Sequence, residues 1–196
     1  MKRKELEIIL SGTPPFPDPD PSLEQYPTPA DVAADIIYRA YRAGDIGGRT
    51  VADLGCGTGI FSAGAALMGA SVTGFDISAP ALSEAKRFAD SLGLDIGFVE
   101  TDIKDVDFRA DTVLMNPPFG SQKKHADRPF LEKAMDIADV VYSIHMANSV
   151  EFVERLAESR GRLVRSCKIY KYTIPHTFSF HKKEKQTVEI AAVIIS

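Results

Sequence analysis

The chain is poor in cysteine, with two in 196 residues. Cys56 and Cys167 lie far apart, and neither belongs to a CxxC pair or has a Cys or His partner at metal-ligand spacing. This scarcity argues against a disulfide framework and against a zinc site, so we expect no metal centre. A reducing cytoplasm is the compartment that such cysteine usage favours.

Long apolar segments are also scarce. Near the N-terminus Glu5 and Glu7 interrupt any apolar signal core, so secretion is not expected. Residues 54–75 carry no charge, but six of these 22 residues are glycine. We therefore expect buried strand, loop, helix and strand there, rather than a membrane span.

A strongly basic balance is absent, because the net charge is −4. This value argues against indiscriminate binding of polyanions by the whole surface. The charges are nevertheless polarised: residues 161–185 hold seven basic side chains against one acidic. One face could therefore still contact a phosphate backbone.

The composition, with 44% apolar residues, suits a single domain. Residues 1–27 are expected to form an N-terminal helix and a proline-rich strap, and residues 28–196 the main domain. Seven of the twelve prolines fall within residues 14–29, which we call the strap. Thr28 or Asp31 is a candidate cap for a helix that follows the strap and ends at Gly44.

Strand and helix patterns alternate from residue 50 onward, at lengths typical of a parallel α/β sheet. The last two β-rich stretches are joined without room for a helical crossover, so they should pair antiparallel at the sheet edge. Expected strands cover residues 50–54, 71–76, 96–100, 112–115, 140–144, 163–173 and 188–195, and expected helices residues 60–68, 79–92, 130–137 and 150–160.

A glycine-rich loop follows the first strand, with Asp53 at the strand end and then Gly55, Gly57 and Gly59. Glycine allows positive φ and close approach of a ligand to the backbone, and the loop lies where open α/β sheets bind ligands. The rival interpretation is a dinucleotide fold, but Asp53 would repel pyrophosphate. An acidic mouth instead favours S-adenosylmethionine, which carries an ammonium and a sulfonium group.

Two further aspartates follow neighbouring strands. Asp76 can accept both ribose hydroxyl protons, although it could also cap the next helix. Asp102 can accept from an adenine amino group while Ile103 packs on the ring, and a solvated strand-end aspartate is the alternative. The register of Asp76 with Asp53 favours the cofactor role.

The fourth strand leads directly into Asn116, Pro117, Pro118 and Phe119. The Asn116 oxygen and a prolyl carbonyl can each accept an N–H of a planar amino group, which favours a tetrahedral nitrogen whose lone pair is available. Proline keeps these acceptors rigid, and Phe119 offers a face for an extruded base. The pattern therefore predicts methylation of a planar amino nitrogen, although these residues could simply form a turn after a strand.

The chain resembles a known family, the small rRNA adenine-N6 methyltransferases of the methyltransferase-like 5 family and their archaeal relatives. The resemblance spans residue 23 to the C-terminus. It rests on LEQYPT (residues 23–28), VADLGCG (51–57), GFDI (74–77), MNPPFG (115–120), VYSIH (141–145) and FHKK (180–183).

The resemblance implies a Rossmann-like class I fold dependent on S-adenosylmethionine, with a seven-stranded, mostly parallel sheet, an antiparallel last strand and helices on both faces. Residues 28–196 would be the methyltransferase domain. It also implies an adenosine of small-subunit rRNA as substrate and a small zinc-binding protein as a possible activator. The cofactor residues expected from the motifs and the resemblance together are Gln25, Tyr26, Thr28, Asp53, Gly55, Thr58, Gly59, Ile60, Asp76, Ile77, Asp102 and Ile103.

Basic residues near the catalytic motif and in the C-terminal block are candidates for RNA contact, namely Lys123, Lys124, His181, Lys182 and Lys183. A solvated surface is the alternative for each of them. His145 is expected to be structural, because the sequence places no carboxylate or serine to form a relay with it.

Two other functions stay open from the sequence. A protein glutamine-N5 methyltransferase would also use Asn-Pro-Pro, although Phe119 and the basic tail favour a base. A non-catalytic, cofactor-binding RNA chaperone or assembly factor is the other alternative, although Asp53, Asp76 and Asn116 are all present.

Overall fold

The computed structural model describes residues 1–17, 19–120, 126–174 and 186–196. Within these residues, seven strands form one sheet, and their bounds agree with the expected strands to within two residues. The strands are β1 (Thr50–Leu54), β2 (Ser71–Asp76), β3 (Ile96–Glu100), β4 (Ala110–Met115), β5 (Ala138–Met146), β6 (Val164–Ile174) and β7 (Gln186–Ile195).

The sheet order is β3-β2-β1-β4-β5-β7-β6. The first five strands of that order pair in parallel, whereas β7 lies antiparallel between β5 and β6. The predicted seven-stranded mixed sheet, with its antiparallel last strand, is therefore confirmed. Strand β1 lies inside the sheet between β2 and β4, and its near-continuous burial is typical of a parallel strand covered on both faces.

Six α-helices accompany the strands in the described part of the chain. They are α1 (Arg3–Leu10), α2 (Ala30–Ala43), α3 (Ile60–Leu67), α4 (Ala79–Ser91), α5 (Arg128–Ile137) and α6 (Val150–Ser159). None of these helices is long and apolar enough to cross a membrane. The uncharged residues 54–75 form strand, loop, helix and strand, as expected.

Two apolar clusters cover the two faces of the sheet. The larger one draws mainly on α1, α2 and α3, and the smaller one on α5 and α6. Helix α1 joins the larger cluster through Leu6 and Leu10, which are spaced four residues apart and buried, while Ile8 is 62% exposed. Each buried leucine contributes on the order of 2 kcal/mol, so this short helix is anchored to the main domain.

The start of α2 differs from the sequence prediction. Pro29 occupies the N-cap, and no side chain caps the helix there, so neither Thr28 nor Asp31 has the predicted capping role. Proline at this position lacks an N–H that would need a partner. The end is as expected, because Gly44 adopts a left-handed φ of 89°.

Candidate active site

Four polar side chains follow the carboxyl ends of four neighbouring strands. Asp53, Asp76, Asp102 and Asn116 come at or just after the ends of β1, β2, β3 and β4, and all four line one cavity of about 710 Å³. Parallel pairing brings these strand ends to the same edge of the sheet, where open α/β folds bind ligands. The cavity volume lies in the range of cofactor and substrate sites.

The glycine loop forms the floor of this cavity. Gly55 and Gly57 adopt φ values of 67° and 52°, which other residues rarely adopt. A Cβ atom on Gly57 would lie 2.7 Å from the ring of Phe16 in the strap. Glycine at position 57 is therefore required both by the backbone conformation and by the close approach of the strap.

Asp53 is buried at the end of β1. One carboxylate oxygen, Oδ2, accepts from the backbone N (2.8 Å) and the hydroxyl (2.6 Å) of Ser62. The other, Oδ1, is buried without a hydrogen-bond partner among the described residues. Burial raises the pKa of Asp53 to about 7, so a cationic donor at Oδ1 would relieve the cost of its charge.

Asp76 organises the glycine loop directly. Its Oδ2 accepts from the backbone N of Gly57 at 2.7 Å, and its Oδ1 accepts from the backbone N of Ser78 at 2.9 Å. Burial raises the pKa of the Asp76 carboxyl. The carboxylate thus joins the ends of β1 and β2 while remaining on the cavity wall.

Asp102 is less buried than Asp53 and Asp76. Its Oδ1 accepts from the backbone N of Lys104 at 3.0 Å, and this hydrogen bond is the main reason that the pKa of Asp102 lies below its usual value. Ile103 follows it on the cavity wall. Position and exposure are therefore compatible with contact to a ligand at the rim of the cavity.

Asn116 has a defined amide orientation. Its Nδ2 donates to the hydroxyl of Thr28 at 3.0 Å, and its Oδ1 is buried without a hydrogen-bond partner among the described residues. A buried acceptor without a donor is costly, on the order of 1–3 kcal/mol. Such an atom beside a cavity is available to accept an N–H from a ligand.

The two phenylalanines near the cavity lie in different environments. Phe119 is partly buried against the larger apolar cluster, and Phe130 lines the cavity, with its ring 3.1 Å from a Cβ that would be built on Gly55. The stacking role of Phe119 stays a prediction. Phe130, at the start of α5, is an aromatic wall that the sequence had suggested only as part of a helix.

Most of the predicted cofactor residues lie together. Gly59 lies behind the cavity wall, at the N-cap of α3. Asn116 and Pro118 line the cavity, whereas Pro117 between them is buried. The predicted residues found in the lining are Gln25, Tyr26, Thr28, Asp53, Gly55, Thr58, Ile60, Asp76, Ile77, Asp102 and Ile103.

The five residues predicted to contact RNA fall near the catalytic motif and in the C-terminal block. Lys123, Lys124, His181, Lys182 and Lys183 all lie outside the described residues. Two other basic side chains of the C-terminal segment have intramolecular partners. Arg162 donates to backbone oxygens at the end of α5, and Lys168 pairs with Asp35 at 2.7 Å.

His145 corrects one sequence-based expectation. Its Nδ1 lies 3.2 Å from Asp127 Oδ2 and its Nε2 lies 2.7 Å from the hydroxyl of Ser143, and all three residues are buried. The expectation that no carboxylate or serine reaches His145 was therefore wrong. The network ties β5 to the N-terminus of α5, the helix that supplies Phe130, so it supports the cavity wall without lining it.

Some site residues were missed because the sequence carries no local pattern for them. Ser62 holds Asp53 from nine positions away. Glu24 is only 7% exposed and has a positive φ of 50°, and its Oε2 accepts from the backbone N of Gly120 at 3.1 Å. The LEQYPT block contained Glu24, but only the folded strap reveals its partner.

These residues fit S-adenosylmethionine. Asp53 Oδ1, which has no partner in the described ranges, suits the ammonium group. The Asp76 carboxylate can accept from ribose hydroxyls, and Ile77 and Ile103 provide apolar surface for adenine. The strap, through Gln25 and Tyr26, closes the other side of the cavity. Within the part of the chain that the structure describes, no group of three His, Cys, Asp or Glu residues could hold a metal ion.

Comparison with known proteins gives consistent findings. A family model described as the methyltransferase small domain matches residues 29–139. The chain is 38% identical to an uncharacterized protein of Methanocaldococcus jannaschii, over 99% of this chain and 93% of that protein. It is 34% identical to the rRNA N(6)-adenosine-methyltransferase METTL5 of Danio rerio, over 97% of this chain and 96% of that protein.

A solved structure is similar over the same length. A Pyrococcus horikoshii protein, provisionally described as an RNA methyltransferase, is 40% identical and superposes with a TM-score of 0.94, covering 100% of this chain and 98% of that one. The strap and α1 are therefore included in the similarity.

Proposed function

Because this chain belongs to the methyltransferase small domain family and to the methyltransferase-like 5 family, we propose that it methylates the N6 amino group of an adenosine in small-subunit rRNA. S-adenosylmethionine is the cofactor. The observation that carries the proposal is the Oδ1 of Asn116, which lies beside the cavity directly after β4 and has no hydrogen-bond partner within the described part of the chain. Support also comes from the RNA-methylating relatives, which match the chain over nearly its whole length.

The cofactor and the protein chain contribute different parts of the methyl-transfer reaction. Bound S-adenosylmethionine supplies an electrophilic methyl group on a sulfonium centre. The Asn116 oxygen and a carbonyl of Pro117 or Pro118 accept the two N–H bonds of the adenine amino group, which favours a tetrahedral nitrogen. These acceptors are held in place before the substrate arrives, so most of the acceleration comes from orientation. The surplus proton leaves the nitrogen for solvent.

The cofactor residues have distinct proposed roles. Asp53 receives the ammonium group, Asp76 the ribose hydroxyls, and Asp102 with Ile77 and Ile103 the adenine. The strap covers the cofactor. The proposed organisation is thus an N-terminal helix and proline-rich segment, residues 1–27, beside a methyltransferase domain of residues 28–196. Backbone and side chains at Gln25, Tyr26, Thr28, Gly55, Thr58, Gly59 and Ile60 complete the proposed cofactor site.

The finer assignments rest on the chemistry of individual residues and, for a partner protein, on the family resemblance. We propose that Lys123, Lys124, His181, Lys182 and Lys183 contact RNA phosphates, that Phe119 stacks on the base, and that the protein acts in the cytoplasm. We also propose a small zinc-binding protein as activator. Copurification from cells of a tagged chain, followed by zinc analysis of any bound partner, tests the last of these.

A transfer assay tests the function. Labelled methyl groups from S-adenosylmethionine should enter small-subunit rRNA, and nuclease digestion should give N6-methyladenosine. The matched substrate is a release-factor-like protein, which a glutamine-N5 methyltransferase would label instead. Cofactor binding without incorporation into either substrate would instead indicate a non-catalytic assembly factor.

Cofactor affinity should depend on pH through Asp53. Burial raises the pKa of Asp53 to about 7 in the free protein, whereas an ammonium group at Oδ1 favours the ionised form. Binding must therefore release a proton below pH 7, and the affinity should rise with pH, by up to about tenfold per unit below that value. Calorimetry in buffers of different ionisation enthalpy measures the proton count directly.

The control for this effect is Asp53→Asn, which cannot ionise. This variant should bind S-adenosylmethionine more weakly and lose most of the proton release. A small remaining release should come from the buried Asp76. Asp90→Asn, an exposed change on α4, should leave the profile unaltered. Equal proton release by wild type and Asp53→Asn would contradict the proposed pairing with the ammonium group.

A further inference from the structure

The strap contacts both ends of residues 116–120, which are the catalytic tetrapeptide and the glycine that follows it. At the first end, the Thr28 hydroxyl accepts from Asn116 Nδ2 at 3.0 Å, across 88 positions of sequence. At the other end, Glu24 Oε2 accepts from the backbone N of Gly120 at 3.1 Å. The strap itself is tied to β6, because the Tyr172 hydroxyl donates to the backbone oxygen of Pro27 at 2.9 Å.

The contact at Thr28 anchors the Asn116 amide in the orientation that the structure shows. An asparagine amide presents either two N–H donors or a carbonyl acceptor, and only the acceptor can take a hydrogen bond from an amino group. With Nδ2 engaged by Thr28, Oδ1 is left without a partner among the described residues. A flipped amide would place its N–H groups where the acceptor is needed.

We propose that Thr28 is a positioning residue for methyl transfer, because its hydroxyl holds the Asn116 amide in the orientation that offers Oδ1 to the adenine amino group. This inference rests on the proposed function and adds to it. It gives Thr28 a second role. The family resemblance implies only that Thr28 contacts the cofactor. Glu24 braces the far end of the same loop, so the strap orders the catalytic residues as well as covering the cavity.

The test compares Thr28→Val with Thr28→Ser. Valine keeps the shape and removes the hydroxyl, so kcat should fall about tenfold, a larger change than that in the Kd for S-adenosylmethionine, since Thr28 also lines the cofactor cavity. Serine retains a hydroxyl and should restore most of kcat. Thr73→Val, on β2 outside the cavity lining, is the matched control and should behave as wild type.

A second readout does not depend on activity. The chain has two asparagines, Asn116 and Asn148, so the side-chain amide signals of Asn116 can be assigned by NMR with an Asn148→Ala variant. Loss of the Thr28 acceptor should shift the Asn116 NH₂ signals and speed their exchange with water. Thr28→Ser should leave both close to wild type.

The outcomes separate the two ideas. Unchanged kcat in Thr28→Val, unchanged Asn116 amide signals, or a loss confined to cofactor affinity would each overturn the positioning role. A wild-type protein that methylates no RNA adenosine would overturn the proposed function, and the NMR comparison would still decide whether Thr28 orients the amide.

Discussion

Replacing Asn116 with alanine should lower kcat for methyl transfer by about 10²- to 10³-fold, to near the detection limit, while the cofactor Kd stays within about twofold. The reason is that Oδ1 of Asn116 is a buried acceptor beside the cavity, held in place before the reaction and without a hydrogen-bond partner among the described residues. Without it, the amino nitrogen keeps its lone pair in the ring. Single-turnover transfer to rRNA and calorimetric cofactor titration measure the two quantities.

The chain offers a matched control for this change. Asn148 is the other asparagine in the sequence, and it is exposed near the start of α6. Asn148→Ala should retain full activity. Turnover by Asn116→Ala at the wild-type rate would rule out the proposed mechanism, and an equal loss of cofactor affinity would reassign Asn116 to cofactor binding.

The second large effect is expected at Asp76. Asp76→Ala should weaken S-adenosylmethionine binding by about 30- to 100-fold, since it removes a charged acceptor from the cavity and leaves the Gly57 N–H without its partner. The glycine loop would then lose one of the contacts that hold its positive-φ conformation. Equilibrium binding, measured by calorimetry or by fluorescence of a cofactor analogue, checks this expectation.

Asp90→Ala is the corresponding control. Asp90 lies on the exposed face of α4, where it pairs with Lys86 at 3.3 Å. Exposed pairs of this kind contribute little, so cofactor affinity should be unchanged. If Asp76→Ala bound the cofactor as tightly as Asp90→Ala, the ribose assignment would fail.

Asp76 and Asp53 also illustrate how far sequence reasoning reaches into the site. The local sequence predicts both positions, because each is a charged residue at the end of a buried strand, followed by glycines or by the start of a helix. Their different environments are not visible in this way. The pKa of about 7 at Asp53 depends on burial and on Ser62, whose hydroxyl and N–H arrive from the first turn of α3.

The strap shows the opposite case. Its prolines predict irregular backbone correctly, yet its role could only be inferred from family resemblance, since an irregular segment has no period that relates it to the rest of the fold. Thr28 was expected to cap α2, but Pro29 holds that position and the hydroxyl accepts from Asn116 instead. When a side chain could form either of two hydrogen bonds, tertiary packing decides which one forms, and its neighbours in sequence do not.

The sequence by itself determined the positions of the strands along the chain, the mostly parallel pairing, the glycine loop and the acceptor residues after β4, because alternation, burial runs and turn residues act over a few positions. Tertiary structure alone decided the contacts between distant segments: Thr28 with Asn116, Glu24 with Gly120, and His145 with Asp127. The physical reason is that a hydrogen bond forms only where packing brings donor and acceptor within about 3 Å, and that packing depends on the whole chain.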